Sequence, residues 1–210
     1  MNPEKRLQIF RILAELRPNP KSELNFTSPY ELLVAVMLSA QATDKSVNLA
    51  TEKLFAVANT PEAMLRLGLS GLEPFIRTIG LYRTKAKHVI ATSEILLRHH
   101  AGLVPEDFDA LVALPGVGEK TANVVLNVAF GHPTVAVDTH ILRVANRTRL
   151  APGKTPSEVS AKLVRLTPPE YLKDVHHWLL LHGRYCCKAR NPDCAHCPIL
   201  ALCEAKDKRL

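Results

Sequence analysis

Hydroxyl–proline–x–glutamate tetrapeptides constrain this chain more than any other feature. Ser28-Pro29-Tyr30-Glu31, Thr155-Pro156-Ser157-Glu158 and Thr167-Pro168-Pro169-Glu170 share one pattern. The hydroxyl suits an N-cap, where its oxygen accepts an orphan N–H. Proline suits N1, where no N–H is needed, and glutamate at N3 can bond back to the cap. Thr60-Pro61 repeats the first two positions without the glutamate. Most of the organising prolines therefore start helices rather than break them.

Apolar spacing behind these starts is helical. Leu7, Ile9, Phe10, Ile12, Leu13 and Leu16 predict a first helix, ended by Arg17-Pro18-Asn19-Pro20. Leu32 to Met37 is apolar nearly all round, as a central buried helix requires. Further helices are predicted near 45–57, 61–68, 83–100, 107–113, 119–130, 139–147, 156–165 and 169–182. Only Thr134 to Val137 reads like a strand. The chain is predicted to be all-α. Its 47% hydrophobic content supports a real core and excludes a disordered polycation.

The formal net charge is +7, and it is unevenly spread. Residues 1–132 are nearly neutral, with 14 basic and 13 acidic side chains; residues 133–210 hold 13 basic and 7 acidic ones. A basic half favours a phosphate-rich partner, because lysine and arginine release counterions condensed on nucleic acid. Arg143, Arg147, Arg149 and Arg184 are candidates to supply that charge. No signal-peptide core follows Met1, and no apolar run approaches the roughly 20 residues of a membrane span. A soluble, cytoplasmic protein is expected.

Between two helical patterns lies Leu114-Pro115-Gly116-Val117-Gly118-Glu119-Lys120-Thr121-Ala122. Gly116 and Gly118 permit a tight turn and close backbone approach. Free N–H groups opening the next helix can hold a phosphate. A P-loop would need glycine where Leu114 and Glu119 stand; a dinucleotide fingerprint would need it at Thr121. A helix–hairpin–helix that grips nucleic-acid backbone fits instead. Lys120 falls in the first turn of the second helix. The positive end of the helix dipole there disfavours an ammonium, which suits a nucleophilic amine.

Val135-Ala136-Val137-Asp138-Thr139-His140 passes from an apolar run into a helix, with Asp138 placed to cap it. A carboxylate held in this way can orient an amine, accept its proton or stabilise positive charge on a sugar. All five cysteines lie between Cys186 and Cys203, in the spacing Cys187-x6-Cys194-x2-Cys197-x5-Cys203. Four thiolates so close indicate a metal centre, either zinc or iron–sulfur. On spacing alone Cys186 could replace Cys187. No H-x-E occurs, which argues against a zinc deaminase.

Together these motifs resemble the endonuclease III family of helix–hairpin–helix DNA glycosylases. The resemblance spans essentially the whole chain. It also includes Leu38-Ser39-Ala40-Gln41-Ala42-Thr43-Asp44, Thr78-Ile79-Gly80-Leu81-Tyr82 and His182-Gly183-Arg184-Tyr185. It implies two helical domains: a six-helix barrel over 22–132, and a cluster domain of 1–21 with 133–210. It implies a [4Fe–4S] cluster on Cys187, Cys194, Cys197 and Cys203, leaving Cys186 as a non-ligand.

The activity it implies is removal of oxidised pyrimidines from double-stranded DNA by a monomer, with Lys120 as nucleophile and Asp138 assisting. Lys120 and Asp138 would act in a cleft that receives an extrahelical nucleotide. Gln41 and Leu81 match residues that fill the gap this nucleotide leaves. Asp44, Gly116, Val117, Gly118, Thr139, His140 and Arg143 complete the expected DNA contacts. The cluster loop departs from a densely basic family pattern at Asn191 and Asp193. A different-class alternative is a non-catalytic helix–hairpin–helix DNA-binding module with a structural zinc.

Overall fold

The computed structural model describes residues 1–209. Eleven helices occur among them: α1 (Pro3–Leu16), α2 (Pro29–Ser39), α3 (Asp44–Phe55), α4 (Pro61–Ile76), α5 (Tyr82–His100), α6 (Phe108–Val112), α7 (Glu119–Phe130), α8 (Thr139–Arg147), α9 (Pro156–Leu166), α10 (Pro169–Leu172) and α11 (Val175–Tyr185). No strand forms among the described residues, so the all-α expectation holds. Thr134 to Val137, which read like a strand, has no partner ladder, and Val135 to Val137 are buried. No helix among the described residues is long and apolar enough to cross a membrane.

The chain divides into two compact units, Ser22–Gly131 and Met1–Lys21 with His132–Leu210. In the first, α2 is the central helix: Tyr30 through Leu38 are all buried, and α3, α5 and α7 pack on it. A fully buried leucine such as Leu32, Leu33 or Leu38 contributes roughly 2 kcal/mol. In the second unit, Ile9, Phe10 and Leu13 of α1 join Ile141 and Val144 of α8 and Trp178 and Leu179 of α11 in one core. The Trp178 indole donates to the carbonyl of Arg17 at 2.8 Å, satisfying its polar edge beside that core.

Local capping explains most helix starts. Ser28, Thr60 and Thr155 each accept the amide three residues on. The glutamates after Ser28 and Thr155 bond one residue earlier than a capping box predicts. Glu31 accepts from the Thr27 amide and hydroxyl, at 2.5 and 2.8 Å. Glu158 accepts from the Lys154 amide at 2.9 Å. Asn2-Pro3 starts α1 by the same grammar, with the Asn2 side chain accepting from the Lys5 amide.

Three expectations need correction. Thr167 does not cap a following helix; it ends α9, and its hydroxyl is buried without a partner among the described residues. Pro168 precedes α10 instead, and that helix has no side-chain cap. The segment expected over 169–182 is interrupted between Leu172 and Val175, so α10 and α11 are separate. The helix expected over 61–68 continues to Ile76 through a kink at Gly68, whose φ of +67° only glycine adopts readily.

Candidate functional site

In the Ser22–Gly131 unit, α6 and α7 flank a turn whose base is apolar. Leu111, Leu114, Val117 and Ala122 are buried beneath it. The Val117 amide donates to the Leu114 carbonyl at 3.1 Å, so this residue forms the packed floor of the turn. Gly116 is required twice over. Its φ is +77°, and an added Cβ would lie 2.6 Å from the Nδ1 of His88 on α5. The Thr92 hydroxyl, also on α5, donates to the Pro115 carbonyl at 3.0 Å and holds the turn in place.

Gly118 has a different role. It occupies the N-cap of α7 without any side-chain cap bond, and nothing crowds its Cβ position. The start of α7 is therefore bare, with its amides and dipole available to an anion. Lys120, the second residue of α7, is exposed on this turn. Among the described residues no hydrogen bond or ion pair engages its amine.

The same unit presents two strained turns. Gln41 follows α2 with φ of +56°, and Leu81 precedes α5 with φ of +60°. Non-glycine residues in this region cost roughly 1–2 kcal/mol. Both side chains are exposed, Leu81 to 65%, so neither strain is explained by core packing. Asp44 opens α3 behind its Thr43 cap, where a carboxylate complements the helix dipole.

In the other unit, Asp138 caps α8: its Oδ1 accepts from the Ile141 amide at 2.8 Å. Thr139 is exposed in the first turn, and His140 is half-buried against Gly183 of α11. Arg143 is largely committed within the fold. Its guanidinium donates to the carbonyls of Cys187 at 2.9 Å and Gly183 at 2.8 Å, and lies 3.2 Å from the His140 Nδ1. Arg147 donates to the Lys188 carbonyl at 2.8 Å, pairs with Asp207 at 3.1 Å and reaches the Cys187 sulfur at 3.7 Å. Two of the arginines expected to supply external positive charge thus hold the cysteine loop.

All five cysteines are free thiols lining one pocket, together with Arg147 and His182. Burial pushes the Cys186 thiol up to about 12, with neighbouring cysteines adding to the effect. Burial also raises Cys197 and Cys203. Crowded thiols that resist ionisation alone are ionised by a bound cation. The donor set fits a thiolate-rich metal centre. A tight trio of donor atoms, on His182, Cys186 and Cys197, lies within 4.8 Å.

Sequence reasoning missed His88 against the hairpin and Lys85, and gave His182, quoted only as part of a motif, no role beside the cysteines. Burial lowers His182 to about 4, so it stays neutral beside the thiols. The Lys85 ammonium is buried and donates to the carbonyls of Leu38 and Ala40, at 2.9 and 2.6 Å. Nothing in the local sequence marks a lysine on α5 as a cap for α2.

Comparison with known proteins agrees with this geometry. Residues 34–169 match the HhH-GPD superfamily of base excision DNA repair proteins. The chain is 62% identical to endonuclease III of Escherichia coli strain K12, over 99% of both chains. It is 60% identical to endonuclease III of Haemophilus influenzae, again over 99% of both. Its fold matches the solved structure of a trapped endonuclease III–DNA covalent intermediate with TM-score 0.90 and 42% identity, covering 97% of this chain and 96% of that one. The bare hairpin helix with its free lysine, the capping aspartate and the thiol pocket therefore belong to a member of the endonuclease III family, within the HhH-GPD superfamily of base excision DNA repair proteins.

Proposed function

We propose that this chain is a bifunctional DNA glycosylase and abasic-site lyase that removes oxidised pyrimidines from duplex DNA in base excision repair. One observation carries the reading: an exposed, unengaged Lys120 amine stands at the bare start of the hairpin helix, in a chain similar to one trapped covalently on DNA. The hairpin amides and helix dipole suit a backbone phosphate without reading sequence. Extruding the damaged nucleotide costs a few kcal/mol, offset by contacts made around it.

The chemistry follows from an amine and a carboxylate. The Lys120 amine attacks the sugar C1′; a C–N bond forms and the glycosidic bond breaks. The leaving base departs with a proton, and the lysine nitrogen loses one. The Asp138 carboxylate receives that proton or stabilises the sugar's developing positive charge. The C1′–O4′ bond of the sugar then opens, O4′ taking a proton, and the C=N Schiff base that forms makes the C2′ proton acidic. Its removal expels the 3′ phosphate by β-elimination, and water then releases the lysine. Gln41 and Leu81 are assigned to the gap left by the extruded nucleotide. Asp44, Gly116, Val117, Gly118, Thr139 and His140 lie on the assigned DNA-facing turns. Arg143, whose guanidinium also lies against His140 beside the cluster loop, is assigned to the same DNA contacts.

A [4Fe–4S] cluster is assigned to Cys187, Cys194, Cys197 and Cys203. When bound, it cross-links the C-terminal loop through four thiolates. The protein is placed in the cytoplasm, acting at the nucleoid.

Borohydride trapping on duplexes carrying thymine glycol, uracil, an adenine mismatch or an abasic site tests nucleophile and substrate class together. Covalent adducts on thymine glycol and abasic duplexes are expected, and Lys120→Ala should abolish them. An unimpaired Lys120→Ala adduct removes this lysine as nucleophile. Iron and sulfide analysis of the native protein should find four of each per chain; stoichiometric zinc in a colourless protein overturns the cluster assignment.

A further inference from the structure

Lys85 is a buried amine that the proposed reaction does not use. It sits at the fourth position of α5, 7% exposed, and no ion pair engages it among the described residues. Its Nζ reaches across to the end of α2 and donates to the carbonyls of Leu38 and Ala40. Those carbonyls belong to the helix end that lacks intrahelical donors, and a cation there also meets the negative end of the helix dipole. A helix usually satisfies this end with a left-handed glycine. Here the left-handed residue is Gln41, next to Ala40, with its side chain exposed.

The same lysine touches the second strained turn through its backbone. The Lys85 amide donates to the Leu81 carbonyl at 3.1 Å, closing the first turn of α5. Leu81 is left-handed and projects an apolar side chain into solvent. One residue thus bonds by its ammonium to the turn carrying Gln41 and by its amide to the turn carrying Leu81. A packing residue at this place would be apolar. Burial makes a charged lysine costly, and it lowers the tendency of this amine to hold its proton. A charged donor accepting that cost fixes a geometry that apolar contact leaves loose.

We propose that Lys85 is the positioning residue that sets the Gln41 and Leu81 turns as one unit, so that both side chains enter the gap in the duplex together. The inference rests on the glycosylase reading above. Displacement of groups by about 1 Å can cost a hundredfold in rate.

The test is single-turnover excision of thymine glycol from duplex DNA, with 2-aminopurine beside the lesion reporting unstacking. Lys85→Met should slow excision at least tenfold and reduce the fluorescence rise, while Lys85→Arg, which keeps the donors, stays within a few-fold of wild type. In a Gln41→Gly, Leu81→Gly background, adding Lys85→Met should change the rate less than twofold, because the residues it acts through are gone. If Lys85→Met excises like wild type, or its loss multiplies with the paired variant, the proposal is overturned and the glycosylase reading stands. If the wild-type protein excises and traps nothing, it is the glycosylase reading that fails. Should Lys85→Met melt below the assay temperature, Lys85→Gln enters the same cycle, with the same outcomes deciding.

Discussion

Single residues divide into those the fold needs and those it tolerates at a cost. Gly116 is of the first kind, since both its φ and the His88 ring exclude a side chain. Gly116→Ala should cost about 3 kcal/mol, adding left-handed strain to overpacking, and urea denaturation would show it. Gln41 and Leu81 are of the second kind. Replacing either by glycine should leave stability unchanged or raise it by up to about 1 kcal/mol, because the strain disappears and no core contact is lost. A fall in melting temperature for these variants would mean that the turns are structural rather than kept for what their side chains meet.

Asp138 separates two roles that share one side chain. Asn caps a helix about as well as Asp, so Asp138→Asn should retain stability within a few tenths of a kcal/mol. Excision by the same variant should fall sharply, because the carboxylate's charge is lost. Asp138→Ala should lose about 1 kcal/mol as well, since the Ile141 amide loses its acceptor. Comparing the two variants by melting and by single-turnover excision distinguishes the cap from the chemistry.

At the scale of elements, α11 carries a pH dependence. His177 is buried, and burial lowers its affinity for a proton below the ordinary imidazole value of 6.5, with Asp174 opposing. The unfolded chain therefore binds this proton first as pH falls. The stabilisation by neutral His177 is complete above pH 6.5 and is lost progressively below it, toward the lowered folded value. His177→Gln should flatten this part of the acid limb in urea midpoints measured between pH 7 and 5. An unchanged slope would remove His177 from the account.

Elements also show how far local grammar reaches. The caps at Ser28, Thr60 and Thr155 follow from four neighbouring residues, because a hydroxyl reaches an amide three positions on. The split between α10 and α11, and the continuation of α4 past Gly68, do not follow from such rules. In each case the apolar spacing stays helical while the backbone departs from it. Thr167 shows the limit most clearly: a hydroxyl followed by two prolines and a glutamate is consumed as the end of α9 instead.

At the scale of the whole molecule, positive charge has two uses. The excess in residues 133–210 was expected to face nucleic acid, yet Arg143 and Arg147 bind carbonyls and a sulfur of the cysteine loop. Metal removal should therefore loosen more than the loop. With thiols that resist ionisation and mostly short-range backbone bonds in the loop, the Glu204 amide to the Thr148 carbonyl apart, the metal-free protein should be cleaved by protease between Lys188 and Lys208. Mass spectrometry of the limited digest checks this, and equal protection with and without metal would contradict it.

Chemistry that sits within a few residues was legible in the chain itself. Helix starts, the glycine hairpin with Lys120, the aspartate before α8 and the closely spaced thiols all depend on neighbours along the backbone. Tertiary structure alone decided what joins these pieces. Lys85 finds carbonyls 45 and 47 positions away, Arg143 finds one 44 away, and His88 defines why Gly116 must be glycine. Such partners meet only after whole helices pack, because a hydrogen bond needs a distance that sequence spacing does not specify.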